Sequence, residues 1–214
     1  MHDFKFDGIY TGYLGSIKQL DIVSRFIDTF RGDNTKVIID PVMGDHGRLY
    51  SGFTLEFPEA MKELCKKADI IVPNLTEAAF LTGTEYLTEY SETDIKKLLT
   101  KLAKLGAPVT VLTGVSMGKE QYGVMAYNSV TDTFFSYYDE KIERTFHGTG
   151  DIFASAFSGA VLNDISVNKA MEIAVKYVIK SIKKTIEDEE SVWYGVNFEQ
   201  VISYYSEMIN KDKL

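Results

Sequence analysis

Cysteine, histidine, proline and tryptophan are all scarce in this 214-residue chain, which has one Cys, three His, four Pro and one Trp. A single cysteine, Cys65, excludes an intrachain disulfide. With no histidine near it in sequence, it reads as a small buried apolar residue rather than a nucleophile. His2, His46 and His147 make no zinc-ligand spacing, and loop solvation accounts for the last two. Positive charge is also short: 23 Lys and Arg against 31 Asp and Glu leave a formal charge of -8. That balance removes nucleic acid and an anionic membrane as general partners, while leaving room for a local site that holds one phosphate compound. No run of about 18 apolar residues occurs, and the start MHDFKFDG lacks the basic and apolar regions of a signal peptide. A cytoplasmic location is expected. The G-x-x-x-x-G-K-[ST] pattern is missing as well, so any nucleotide phosphates must be held in another way.

What remains is a globular composition, 45% hydrophobic and 25% charged, in a length that suits one compact domain over 1–214. Strand and helix patterns alternate. Residues 6–14 read as a strand and 17–30 as a helix, with Leu20, Val23, Ile27 and Phe30 at helical spacing. A short buried strand over 36–40 follows, ending in Asp-Pro and a glycine-rich loop through Gly52. A helix over 56–68, a strand over 69–73 and a short helix over 76–83 closed by Gly83 come next. The stretch SETD (91–94) is a capping box before a helix to Gly106, and 108–114 is a core strand. Two strands, 122–128 and 133–139, form a hairpin pattern. A helix over 151–162 then turns Ile152, Phe153, Ala156, Phe157 and Ala160 to the core, and two more helices end the chain, broken by EDEESVWYG. Repeated strand-helix units predict an α/β fold, three layers α/β/α around a mostly parallel central sheet with right-handed crossovers. Ligands of such sheets collect beyond the carboxyl ends of strands, where Asp40, Pro73-Asn74 and Thr113-Gly114 fall.

The stretch FHGTGDIFAS (146–155) places two glycines, a hydroxyl and a carboxylate at a helix mouth. A helix N-terminus presents unpaired N–H groups and partial positive charge, and glycines let an anionic oxygen approach them. Gly148, Thr149 and Gly150 therefore form a candidate anion hole. Asp151, in the first turn, is a candidate acceptor for the proton of an attacking hydroxyl, a combination that points to phosphoryl transfer to an alcohol. The same four residues also fit an ordinary helix start with Asp151 as a cap. In DPVMGDHGRLY (40–50), Asp40 and Asp45 surround a loop after a strand, and in VPNLTEAAFLTG (72–83), Asn74 and Glu77 follow the next one. Asp45 and Glu77 are candidate Mg²⁺ ligands; solvated loop carboxylates are the alternative.

Taken together and in order, DPVMGD.G.LY, PN.TEA..LTG and F.GTGD.FAS resemble the pyridoxal kinase branch of the ribokinase-like superfamily, over nearly the whole chain from GIYTGYLGS to WYGVNFE. The resemblance implies ATP-dependent phosphorylation of the 5′-hydroxyl of pyridoxal, pyridoxine or pyridoxamine. It implies Asp151 as the base, with Gly148, Thr149 and Gly150 around the transferring group. It assigns Asp45 and Glu77 to Mg²⁺, and Asp40 with Thr113 to a monovalent cation, K⁺ or Na⁺. Asn74, Thr113 and Gly114 would line the ATP site, together with Asp40, Glu77 and Thr149. The segment KIERTF (141–146) would cover the nucleotide, with Lys141 near its phosphates, Ile142 near adenine and Phe146 beside it. Tyr13 would pack on the pyridine ring and Tyr50 would border the site; each also fits a core aromatic with a satisfied hydroxyl. A threonine of the family before Pro-Asn is Val72 here, which takes one side-chain oxygen from the monovalent-cation site. Members of the family carry further β-α elements before the TGYLGS strand, so this chain is expected to be N-terminally truncated within that fold. The resemblance also implies a homodimer. Its nearest rival is the hydroxymethylpyrimidine kinase branch, which has a cysteine where this chain has Asp151 and a different loop after DPVM. A non-catalytic nucleotide- or B6-binding fragment is the reading from another class.

Overall fold

A computed structural model of the chain describes residues 5–118, 120–144, 146–191 and 194–212. These gather into two compact units: one reaches to Val115 and includes Met125–Phe135, the other takes Ser116–Val124 and the chain from Ser136 on. Of three neighbouring strands, β1 (Gly8–Thr11), β2 (Lys36–Ile39) and β5 (Ile70–Ile71), the last two carry β-branched apolar runs buried on both faces, as inner parallel strands require, while edge strand β1 buries Ile9 and Thr11 and exposes Tyr10. They pair in parallel, Ile9 beside Val37 and Thr11 beside Ile39, then Ile39 beside Ile71. Next comes β6 (Val109–Met117), parallel to β5 with Ile71 beside Thr110. β7 (Gln121–Asn128) and β8 (Thr133–Glu140) complete a six-stranded sheet of order β1-β2-β5-β6-β7-β8. The sheet is mostly parallel and flanked by helices, as the alternating pattern predicts.

In the first unit α1 (Ile17–Phe30), α2 (Glu56–Cys65), α3 (Leu75–Thr82) and α4 (Glu92–Ala103) pack in succession, each against the next or over the intervening strand. Helix α1 starts where Ser16 accepts the Gln19 N–H through its side chain, and it buries Leu20 and Ile27. Helix α4 begins with the reciprocal bonds of Ser91 and Asp94 that the SETD stretch predicts. Ile95, Leu98, Leu99 and Leu102 form its buried stripe at i, i+3, i+4 and i+7. In the second unit α5 (Thr149–Leu162) packs on α6 (Val167–Glu187), and α7 (Ile202–Asp212) follows a 3-10 turn at Glu199–Val201. Among the described residues no helix is long and apolar enough to cross a membrane.

Three elements differ from the sequence expectation. The strand expected over 6–14 stops at Thr11, because Gly12 and Gly15 lead into the α1 cap. The glycine-rich loop contains a two-stranded ladder, β3 (Gly44–Asp45) against β4 (Arg48–Leu49), each too short to show a period. The strand expected to close at Gly114 runs on to Met117; Gly114 lies within it at φ 76°, and β6 has β5 on one side and β7 on the other.

Leu99 is fully buried and Lys97 exposed on the same helix. Leu99→Ala should therefore lower the unfolding free energy by about 2–5 kcal/mol. Lys97→Ala should change it by about 0.5 kcal/mol or less. Urea denaturation measures both, and equal losses would contradict this assignment of the core face.

Candidate functional site

The parallel register brings the carboxyl ends of β1, β2 and β5 beside Thr113 within β6. Just past them the Asp40 N–H donates to the Thr11 carbonyl at 2.9 Å, the Val72 N–H to the Ile39 carbonyl at 2.9 Å, and the Thr113 N–H to the Pro73 carbonyl at 2.9 Å. A further bridge joins Asn74 to Thr113. Asp40, Asn74 and Thr113, far apart in sequence, thus lie along one sheet end, where α/β sheets bind ligands.

Asn74 and Glu77 lock this end. The Asn74 side chain accepts the Glu77 N–H at 2.9 Å, while Glu77 Oε2 accepts the Asn74 N–H at 2.8 Å, a reciprocal cap on α3. Glu77 Oε1 reaches back to accept the Met43 N–H at 3.1 Å, and Asn74 Nδ2 donates to the Gly44 carbonyl at 2.9 Å. The Thr76 hydroxyl accepts the Gly47 N–H at 2.9 Å. One helix start therefore holds the loop that carries Asp45. Gly44 is obligatory there, since a Cβ would lie 2.4 Å from the Arg48 carbonyl oxygen.

Glu77 is 2% exposed and Asp40 7%. Burial, then the Asp40 charge, push the Glu77 carboxyl well above its ordinary value, against the pull of the Asn74, Met43 and Gly44 N–H groups. Burial, then Glu77 and Asp40, push the Cys65 thiol up to about 12. That leaves Cys65 a protonated core residue, in keeping with the sequence reading. Asp45 is exposed, and its Oδ1 accepts the His46 N–H at 2.8 Å. Among the described residues no three His, Cys, Asp or Glu side chains gather into a metal-holding group. Any cation near Asp40, Asp45 or Glu77 would therefore complete its shell with water, phosphate and neutral oxygens, as Mg²⁺ commonly does. The buried pairing of Asp40 with Glu77 fits a cation, because a positive charge would relieve the repulsion that raises Glu77. Tyr13 and Tyr50 are 59% and 40% exposed, so neither is a core aromatic.

In the second unit, α5 begins with Gly148 at φ 80° and ψ 0°, and no side chain caps it. The Gly148 carbonyl accepts the Ile152 N–H at 3.0 Å, which starts the helical ladder and leaves the N–H groups of the first turn without intrahelical acceptors. A Cβ on Gly148 or Gly150 would meet nothing within 4 Å, so the space before this turn is open. Glycine is needed at 148 for its left-handed backbone rather than to avoid a clash. Asp151 stands exposed on the first turn, and among the described residues no ion pair engages it. Thr149 is half-buried, its hydroxyl 3.5 Å from the Phe146 carbonyl. Lys141 is exposed, with its N–H donating to the Glu120 carbonyl at 2.8 Å, and Ile142 is half-buried. Phe146 is buried, with the Arg144 guanidinium 5.0 Å above its ring. Thr145, within the expected nucleotide cover, lies outside the described residues, as does Trp193 of the WYGVNFE stretch. The double role of Glu77 as cap and loop anchor escapes a reading that treats it as a loop carboxylate. Its signal was present, since Asn74 followed three residues later by Glu77 is a capping-box spacing.

Known proteins match most of the chain. The family described as phosphomethylpyrimidine kinase matches residues 1–193. Pyridoxal kinase of Arabidopsis thaliana is 28% identical over 197 residues, which cover 87% of this chain and 61% of that protein. A Bacteroides thetaiotaomicron protein described as a phosphomethylpyrimidine kinase, crystallised with pyridoxal, is 33% identical with a TM-score of 0.89; the match covers 95% of this chain and 72% of that one. The ADP complex of Bacillus subtilis pyridoxal kinase is 25% identical with a TM-score of 0.70, covering 83% of this chain and 65% of that one. The chain thus spans about three fifths of the length of the curated relatives it matches.

The raised Glu77 carboxyl has a pH signature. A group whose folded value lies above its ordinary 4.5 stabilises the fold most when protonated, and that contribution is lost as pH rises toward the folded value. Without added divalent cations, the unfolding free energy of the wild type minus that of Glu77→Gln should fall as pH rises above the ordinary 4.5 of the carboxyl. Urea titrations at stepped pH measure it; a flat or rising difference would show that Glu77 is charged throughout.

Proposed function

Because the chain belongs to the phosphomethylpyrimidine kinase family, we propose that it transfers the terminal phosphoryl group of ATP to the 5′-hydroxyl of a B6 vitamer, pyridoxal, pyridoxine or pyridoxamine. One observation carries the reading: the bare start of α5, opened by a left-handed Gly148 and followed at once by an accessible Asp151. First-turn N–H groups at 149–151 are donors for the oxygens of a phosphoryl group in flight, and they need no reorganisation to serve. The Asp151 carboxylate accepts the hydroxyl proton of the acceptor as the new O–P bond forms and the bond to the ADP leaving group breaks.

Most of the binding roles in this reading fall to residues of the first unit. Asn74, Thr113 and Gly114, with Asp40, line the ATP site, and Lys141, Ile142 and Phe146 belong to the segment that covers it. Mg²⁺ would be held by Asp45 and Glu77, directly or through water, with Asp40 and Thr113 offering oxygens to a monovalent cation; their chemistry is to screen the phosphate charge. Tyr13 and Tyr50, both exposed, border the acceptor ring. The reading treats residues 1–214 as one kinase domain acting in the cytoplasm as a homodimer.

The family's own description favours a second reading, in which the acceptor is the alcohol of a hydroxymethylpyrimidine. Against it stand Asp151 in place of that branch's cysteine and the pyridoxal bound by the Bacteroides relative. A coupled ADP-release assay with each alcohol separates the two. Turnover on the pyrimidine alone would replace the B6 assignment. In the same assay Asp151→Asn should lower kcat by about 10²–10⁴, the usual worth of a positioned base, with the KM for ATP changed less than about threefold. An unchanged kcat would remove Asp151 from the reaction.

A further inference from the structure

Tyr13 is 59% exposed, yet its ring is held. A methyl group at Gly15 would lie 3.4 Å from its Cε1 and 3.6 Å from its hydroxyl, so the ring lies against bare backbone. The Gly15 N–H donates to Gln19 Oε1 at 2.6 Å, which ties that backbone to α1. Elsewhere Tyr13 meets Phe53, centroids 5.8 Å apart and planes 34° from parallel. Phe53 in turn stacks on Phe57 at 3.9 Å and 14°. Phe57 is 2% exposed in α2, the fixed end of the series. The turn carrying Phe53 is itself pinned: the Phe53 N–H donates to the Tyr50 carbonyl at 3.2 Å, and the Tyr50 N–H to the Met43 carbonyl at 3.0 Å. Met43 is the residue whose N–H binds Glu77.

Three rings therefore step outward from the core, and the outermost is exposed. A tyrosine supported in this way has already lost the side-chain freedom that stacking on a ligand would otherwise cost. Solvent exposure of a braced aromatic ring is unfavourable unless something flat covers it, and offset ring contacts add to the area they bury. We propose that Phe53 is a positioning residue: it sets the plane of Tyr13 so that the two form a shelf for the planar heteroaromatic ring of the alcohol acceptor, with Phe57 as its anchor. The proposal rests on the kinase reading above and adds to it a residue that the sequence motifs leave out. It assigns ring recognition to the loop after β4 as well as to the end of β1.

Pyridoxal binding, followed by equilibrium dialysis beside ADP binding, tests it without requiring turnover. Phe53→Leu keeps the apolar bulk but removes the flat face, and should weaken pyridoxal binding about 3- to 10-fold while ADP binding stays within about twofold. Phe53→Tyr restores the ring and should return pyridoxal binding to within about twofold of wild type. In the kinetic assay the Leu variant should raise the KM for pyridoxal with little change in kcat. Wild-type pyridoxal affinity in Phe53→Leu, beside a wild type that phosphorylates pyridoxal, would overturn the shelf and leave the kinase reading standing. Equal loss of pyridoxal and ADP binding, unrescued by Tyr, would make Phe53 a packing residue and overturn it too. A wild type that binds ADP but no pyridoxal would overturn the B6 assignment and the shelf together.

Discussion

The in-register parallel pairing of β1, β2 and β5 is the constraint on which the rest of this molecule depends. Val37, Ile38, Ile39 and Ile71 are buried to 2% exposure or less, so apolar burial on both faces holds these strands inside the sheet. That register alone sets Thr11 beside Ile39 and carries Asp40, Asn74 and Thr113 to a common end of the sheet. Apolar burial thus places polar chemistry, with no polar residue needed to specify the strands.

Polar placement carries its own cost. Glu77 sits in the core near Asp40, which is unfavourable for two acids, and the fold offsets this with backbone N–H groups from Asn74, Met43 and Gly44. The same bonds fasten the loop of Asp45 and, through Met43, the turn of Phe53. One buried side chain therefore couples helix start, candidate cation ligand and aromatic shelf. The second unit contributes the opposite polarity. Its α5 start leaves first-turn N–H donors without a side-chain cap, with Gly148 in a left-handed conformation that few other residues tolerate.

Much of this was legible in the sequence, for physical reasons that can be named. The period of Leu20, Ile27 and Phe30 gave α1 its exact span, and Ser91 with Asp94 announced α4 because caps are local. GTGD before an apolar period marked the start of α5. Contacts that join distant segments were not legible. β3 and β4 are two residues each, so they carry no period, and only the close approach of Gly44 to Arg48 betrays them. β6 outruns Gly114 with β7 beside it on the side away from β5, and a glycine in the strand pattern does not announce that continuation. Phe53 went unremarked beside Tyr13 for the same reason, since 40 residues of chain separate two rings in contact.

The account stands or falls on where a phosphoryl group goes. Incubation with ATP, Mg²⁺ and pyridoxal, followed by ³¹P NMR of the products, reads this directly. The account predicts one phosphate ester on the exocyclic 5′-hydroxymethyl carbon, formed in equal amount with ADP. Inorganic phosphate as the sole new phosphorus species, or an unchanged ATP spectrum beside intact folded protein, would contradict it.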